Sequence, residues 1–438
     1  MELTDSKFGS ILDSIDVMDT VSTEGRISQI IGLVIEASGL EGSLGELCSI
    51  RTKDNRTIQA EIVGFKGDKV LMMPFGEIMG ISPGSPVSVN PQPMNIQVGD
   101  QLLGRVLDGM GNPIDGKGPI NGSERQPVYN VPPNPLDRQR ITEVISTGIR
   151  SIDGFLTLGK GQRIGIFSGS GIGKSILLGM ISRFTSAEVN VIALIGERGR
   201  EVREFIERDL GPEGLKRSVV IVATSDQSAM VRIKASLIAT AIAEYYRDQG
   251  KNVMFMMDSL TRVALAQREI GLAVGEPPTT KGFTPSVFSF LPRLLERTGA
   301  GEKGSITGLY SVLVEGDDMD DPVSDTARSI LDGHIILSRK LSTKGHYPAV
   351  DVLDSVSRLF QDITDEKHYK SAGELIELLS EYREAEDMLS IGAYAKGSNP
   401  KVDRALLFKS KIDEFLRQGI NEPSQFEETL KSLFEVIE

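Results

Sequence analysis

The chain runs to 438 residues, 39% hydrophobic and 25% charged, with a formal net charge of −13. That length calls for two or three domains, and that mix for sizeable globular cores. The acidity argues against nucleic-acid binding as the main business, and the lone cysteine, Cys48, excludes an internal disulfide framework or a cysteine-based zinc site.

The N-terminus, "MELTDSKFGS", has an early acidic residue and no apolar core, so it does not read as a secretory signal. No run of 18 apolar residues follows. The expected location is therefore the cytoplasm, peripheral to a membrane's cytoplasmic face at most. Over residues 1–24, Phe8, Ile11, Leu12, Ile15 and Met18 recur at helical spacing. Such an amphipathic helix has no core of its own; it packs on its own domain or docks a partner.

From 25 to 92 the pattern becomes β. "TIQAEIVGF" places Ile58, Ala60 and Ile62 on one face at period two, and "KDNR", "KGDK" and "SPGSP" supply turns. Short strands with polar turns predict a small barrel or sandwich. Residues 93–150 read as a connector, with "DGMGNPIDGKGPI" and "VPPNPLDRQR" held extended by Pro132, Pro133 and Pro135. It leads into an α/β core that extends to 365. There "RIGIFS", "NVIALIG", "SVVIVATS", "NVMFMMD", "SITGLYSVLV" and "GHIILS" alternate with helical patterns. Continuous apolar strands separated by helices predict a parallel sheet covered on both faces, with ligands at the strands' carboxyl ends. From 366 to 438 strand signals vanish and three helices are expected, the last opened by a capping box of Ser424 and Glu427.

The stretch "FSGSGIGKSILLGM" sits where a phosphate loop must sit, between the strand "QRIGIF" and the helix "KSILLGMISRF". The nucleotide-binding stretch comprises Ser168, Gly169, Ser170, Gly171, Ile172, Gly173, Lys174, Ser175 and Ile176. Glycines let successive N–H groups turn inward around phosphate oxygens, and the helix N-terminus adds its dipole. Lys174 would reach the β- and γ-phosphates, and the Ser175 hydroxyl would ligate Mg²⁺. Ser168 stands where the motif usually has glycine. Asp258, ending "NVMFMMD", would orient Mg²⁺ directly or through waters; a lone Asp after a strand otherwise reads as a helix cap. Glu197, after "VIALIG", would polarise the attacking water, or else pair on the surface with Arg198 or Arg200.

Beyond these motifs, "GERGREVREFIERDLGPEGLKRSVVIVATSDQSAMVR", "MDSLTRVALAQREIGLAVGEPPTTKGFTPSVF", "EGDDMDDPVSDTARSILDGHIILSR", "GHYPAVDVLDSVSR" and "GAYAKGSNPK" resemble the protein-export ATPases of bacterial flagella. They are also similar to the ATPases of type III secretion injectisomes, both relatives of rotary F-type and V-type catalytic subunits. The resemblance covers the chain from about residue 25 onward. It implies a β-barrel, a RecA-like P-loop core and a helical C-terminal domain, assembled as a homohexamer that hydrolyses ATP with Mg²⁺. It makes Glu197 the catalytic glutamate, places Arg198 near the γ-phosphate and makes Arg262 another active-site arginine. It makes Arg358 the arginine that reaches a neighbour's nucleotide, Tyr347 the aromatic that stacks on adenine, and Tyr394 a second adenine-side aromatic. Implied partners are a regulator or stator-like protein at the N-terminal helix, export-gate components, and export substrates with their chaperones.

"SGSGIGKSILLGM" and "GAYAKGSNP" look more like the flagellar branch, the injectisome branch being the alternative. A non-catalytic rotary subunit is disfavoured by the presence of Glu197. A nucleic-acid translocase is disfavoured by a front segment, 1–92, whose aromatics are Phe8, Phe65 and Phe75 alone.

Overall fold

The computed structural model describes residues 24–437 except 91, 121, 123 and 315–320. The helix expected over residues 1–24 thus lies outside the described residues, save for Glu24, which opens the first strand. The described chain divides into two compact units, the first ending at Met94 and the second carrying almost everything after it.

Six strands build the first unit: β1 (Glu24–Ile31), β2 (Val34–Ser38), β3 (Leu47–Arg51), β4 (Thr57–Lys66), β5 (Lys69–Pro74) and β6 (Pro86–Asn90). They close in the order β1-β2-β5-β4-β3-β6, with β6 pairing back onto β1. Alternation sends Ile27, Ile35, Cys48, Ile50, Ala60, Ile62 and Met72 inward, where they fill the barrel. Closure removes the edges that an open antiparallel sheet would expose.

The second unit is organised by a nine-stranded sheet. Its strands are β7 (Arg105–Asp108), β8 (Arg163–Ser168), β9 (Val189–Ile195), β10 (Ser218–Ala223), β11 (Asn252–Asp258), β12 (Ser305–Leu313), β13 (Gly333–Leu337) and β14 (Val350–Ser357), with the two residues Gly299–Ala300 paired to β12. The order is β14-β13-β8-β12-β11-β9-β10-β7. Every pair along it is parallel except β13 with β14. The six apolar runs named from sequence are strands of this sheet. All residues of β9 and β10 are buried, as expected where helices cover both faces.

The connector reading needs correction, because residues 105–108 supply the edge strand β7. Four residues are too few to show a period. The strand is held by a pairing distant in sequence, from Arg105 beside Val219 to Asp108 beside Val222 on β10, and locally Arg105 donates to both carboxylate oxygens of Asp115, at 2.7 and 2.9 Å. Asn95–Val98 and Glu124–Pro127 also pair within the predicted connector, as a two-stranded ribbon.

Helices that matter for the site are α1 (Lys174–Phe184), α2 (Ala229–Asp248), α3 (Leu260–Ala273) and α4 (Pro322–Ile330); the helical tail contains α5 (Glu366–Ser390), α6 (Pro400–Leu416) and α7 (Phe426–Ile437). Ala372, Leu375, Phe415 and Leu433 of the tail join the core that also contains Ile164 and Ile166 of β8. The predicted Ser424–Glu427 capping box does not form. The Ser424 hydroxyl pairs with that of Thr429 at 2.7 Å, and the N–H of Gln425 reaches Glu428 at 3.4 Å, one residue later than expected.

Candidate active site

Parallel register brings the chemistry to one rim of the sheet. Ser168 lies beside Leu313, Met257 beside Tyr310, and Leu194 beside Asp258. The carboxyl ends of β8, β12, β11 and β9 therefore sit side by side. At that rim stand, in turn, the loop before Lys174, Ser311 near the end of β12, Asp258 as the last residue of β11, and Glu197 just past β9.

The loop itself divides its glycines. Gly171 (φ 77°) and Gly173 (φ 98°) occupy the left-handed region that disfavours side chains, whereas Gly169 does not. Ser168 belongs to β8, so its backbone is extended and a small side chain causes no strain there. Its carbonyl accepts the N–H of Val314 at 3.0 Å. Gly173 caps α1, so Lys174 and the exposed Ser175 occupy the first turn, where N–H groups and dipole favour an anion.

The Lys174 ammonium lies 2.5 Å from Oδ1 of Asp258 and 3.8 Å from Oε1 of Glu197. Burial alone would lower its pKa; the charges of Asp258 and Glu197 more than offset this and hold it above its ordinary value. Glu197 is pushed the other way for a carboxyl, up to about 7. Burial is the main cause and the Asp258 charge the second, with Lys174 opposing both. Asp258 is 3% exposed, and its Oδ2 carries no hydrogen bond among the described residues.

Arg262, in the first turn of α3, packs over Gly196. A Cβ at Gly196 would lie 2.7 Å from the Cβ and Cγ of Arg262, so the residue before Glu197 has to be glycine. Arg262 belongs to the cluster, since its charge acts on Lys174. Arg198 does not join it: its side chain is 78% exposed and sits 3.5 Å from Glu201.

Arg358 is remote from its own loop. Its N–H donates to the carbonyl of Asp332, whose N–H donates to Arg163 at the start of β8. Five residues of strand, about 16 Å, separate Arg163 from Ser168. The exposed Arg358 guanidinium donates to the carbonyl of Arg328 at 3.1 Å.

Tyr347 stands against the loop: a Cβ on Gly173 would come within 3.6 Å of its ring. The ring also borders a cleft of about 700 Å³ lined by Gly345, Arg417, Gln418 and Gly419. Sequence reasoning missed Gln418. Its N–H donates to the Tyr347 carbonyl at 2.9 Å, and its side chain bridges the N–H of Arg150 and the carbonyls of Gly148 and Glu422. Tyr394 is not brought to this cleft. Its hydroxyl bonds the Asn399 carbonyl and the Asp403 carboxylate, at 2.9 and 3.1 Å. Two other hydroxyls escaped notice in the sequence: Ser311 donates to Oδ1 of Asp258 at 2.6 Å, and Thr261 accepts the N–H of Leu313 at 2.8 Å.

These groups suit magnesium with a nucleotide. Among the described residues no cluster of three His, Cys, Asp or Glu side chains gathers that would cage an ion alone. One hydroxyl, one carboxylate with a free oxygen and the phosphates themselves form the kind of shell this ion accepts.

Comparison with known proteins agrees with this architecture. Residues 27–88 match the model for the ATP synthase alpha/beta family beta-barrel domain, 148–357 its nucleotide-binding domain, and 364–435 the T3SS EscN ATPase C-terminal domain. The flagellum-specific ATP synthase of Bacillus subtilis is 54% identical, the match covering 98% of both chains. The type 3 secretion system ATPase of Xanthomonas euvesicatoria is 50% identical over 94% of this chain and 93% of its own. The assembled ATPase EscN from the type III secretion system of enteropathogenic E. coli superposes with a TM-score of 0.90 at 44% identity, over 94% of this chain and all of that one. EscN in complex with its central stalk EscO gives 0.87. The chain is accordingly an ATPase of the ATP synthase alpha/beta family, and belongs to the branch that contains the flagellum-specific and type III secretion enzymes.

Proposed function

We propose that this ATPase hydrolyses ATP with Mg²⁺ as a homohexameric ring, and that the hydrolysis energises protein export through a flagellar type III secretion apparatus. The observation that carries the chemistry is the convergence of Lys174, Asp258 and Glu197 on one rim of the sheet, within 3.8 Å of a shared ammonium.

The backbone of Gly169 to Gly173 and the first turn of α1 cradle the phosphates, with Lys174 moving from Asp258 to the β- and γ-oxygens. Ile172, buried, and Ile176, packed against the same core, anchor that cradle from below, while Ser170 is exposed on it. Ser175 and the free oxygen of Asp258 would hold magnesium, which, when bound, neutralises charge developing on the phosphoryl oxygens. Glu197, with a pKa near the working pH, accepts a hydrogen bond from water and takes its proton as it attacks. Tyr347 stacks on the base beside the Gln418 cleft. Arg262, against Gly196, adds positive charge on the γ side, and Arg198 turns in from the solvent. Arg358, too far from its own loop, serves the neighbouring subunit's phosphate. A finger of this kind contributes about 10³- to 10⁵-fold in rate. Tyr394, tied to α6, keeps its adenine-side role only if that tie breaks.

Glu197→Gln is the direct test of the mechanism. It should keep nucleotide affinity, read by a fluorescent ATP analogue, and lose at least about 100-fold in turnover. Lys174→Ala should lose the binding itself. Turnover retained in Glu197→Gln would remove Glu197 from the water-activating role.

Self-assembly is supported by the assembled state of the EscN relative, and a stalk-like partner by its EscO complex. A regulator at residues 1–24, export-gate components and exported proteins with chaperones are the further partners proposed. No described helix is long and apolar enough to cross a membrane. The reading places the protein in the cytoplasm, peripheral at the export apparatus. The injectisome is the second reading, favoured by near-equal identity to an enzyme of that kind. Affinity capture from the native cell separates them: flagellar export-gate components support the first, needle-complex components the second.

A further inference from the structure

We propose that Ser311 is a positioning residue of the hydrolytic site: its hydroxyl fixes which oxygen of Asp258 faces the divalent ion. The proposal rests on the reading of Asp258 as the magnesium carboxylate. Ser311 lies in the middle of the sheet, on β12, 1% exposed, in a strand whose first eight residues are all buried. Packing alone does not ask for a hydroxyl here; a buried hydroxyl is costly unless it is bonded. Register explains its partner. Met257 pairs with Tyr310, so Asp258 and Ser311 are level on adjacent parallel strands, and their side chains share a face.

Two donors then converge on the same atom. Ser311 Oγ is 2.6 Å and Lys174 Nζ 2.5 Å from Oδ1 of Asp258. Oδ2 takes no hydrogen bond among the described residues. A carboxylate turns broadly about its last torsion unless something holds it. With both donors on Oδ1, Oδ2 is the oxygen presented to an ion or its waters. The two donors do not persist equally. Lys174 must leave to reach phosphates, and it then carries its hydrogen bond away. The Ser311 hydroxyl is built into the strand and stays. It is the group that keeps Asp258 oriented during the part of the cycle in which orientation counts.

The test uses the full-length, assembled protein and reads binding rather than activity. A fluorescent ADP is held constant and MgCl₂ titrated, for wild type, Ser311→Ala, Ser311→Thr, Ser311→Val and Asp258→Asn. Thr and Val share a shape and differ only in the hydroxyl, so the pair remains informative should alanine unsettle the sheet. Ser311→Ala and Ser311→Val should need about tenfold more magnesium for half-saturation, in line with losing a hydrogen bond to a charged group. Ser311→Thr should stay within about twofold of wild type, and all three should bind nucleotide in EDTA as wild type does. A wild-type magnesium curve for Ser311→Val, or an equal displacement of the Thr and Val variants, overturns the proposal. A wild-type curve for Asp258→Asn overturns the magnesium reading beneath it, and this proposal with it.

Discussion

Glu197 shows how one side chain is shaped by opposing fields. Its carboxyl sits near 7, about where a general base transfers protons most effectively, because burial and Asp258 outweigh Lys174. The free-enzyme profile, kcat/KM against pH, should therefore fall on its acid side through about pH 7. The same shift affects stability. A carboxyl whose folded pKa exceeds its unfolded value, here 4.5, favours the folded state at low pH, and that contribution is lost as pH rises through about 7. Without nucleotide or magnesium, Glu197→Gln should thus melt about 2 °C higher than wild type at pH 8, with no difference near pH 4.5; calorimetry at the two pH values checks it. The lysine, the serine after it, Asp258 and Glu197 were legible as residues because a loop, two strand ends and a helix start announce them. Ser311 was not. A serine within an apolar strand reads as filler until the register sets it level with Asp258 on the neighbouring strand.

Among elements, β7 and the helical tail contrast. The strands β8 to β13 are largely apolar runs and could be read directly, whereas β7 is four residues held by their ladder with the distant β10. Long-range pairs of this sort are invisible to periodicity. Another lies beneath α2. Glu244 is fully buried and receives both arms of Arg297, at 2.7 and 2.8 Å, while Asn130 donates to it at 3.2 Å and Arg297 donates to the Val128 carbonyl at 2.9 Å. The pair ties the segment around residues 128–130 to α2 and to the turn before β12. Removing one partner leaves a buried charge alone. Arg297→Ala should destabilise the second unit by about 3–5 kcal/mol, seen as a lower denaturation midpoint, and pairing it with Glu244→Gln should recover much of the loss.

For the whole molecule, the position of Arg358 is decisive. An arginine about 16 Å along the sheet from its own loop acts, if it acts in hydrolysis, on another copy. Activity per chain should then rise with protein concentration. Arg358→Ala rings should bind ATP and turn over at least about 10³-fold more slowly. Mixing that variant with Lys174→Ala, each inactive alone, should restore part of the rate, because some interfaces combine an intact loop with an intact finger. Absence of any recovery in mixed rings would remove the trans assignment. The order of barrel, α/β core and helical tail was legible from changes of hydrophobic period along the chain. Assembly was not, because the interface of a ring is written in surface residues that no period marks; only the resemblance supplied it.

Cys48 lies at 0% exposure inside the barrel, its thiol pushed up to about 12 by burial first and by the charges of Glu46 and Glu61 second. It is the chain's only sulfhydryl. Maleimide dyes and oxidative crosslinkers attack thiolates within reach of water, so the native polypeptide offers them almost no background. A cysteine engineered on the surface can therefore be labelled or bridged selectively with every other natural residue left in place, which opens the folded chain to site-specific fluorescence on an otherwise unaltered enzyme.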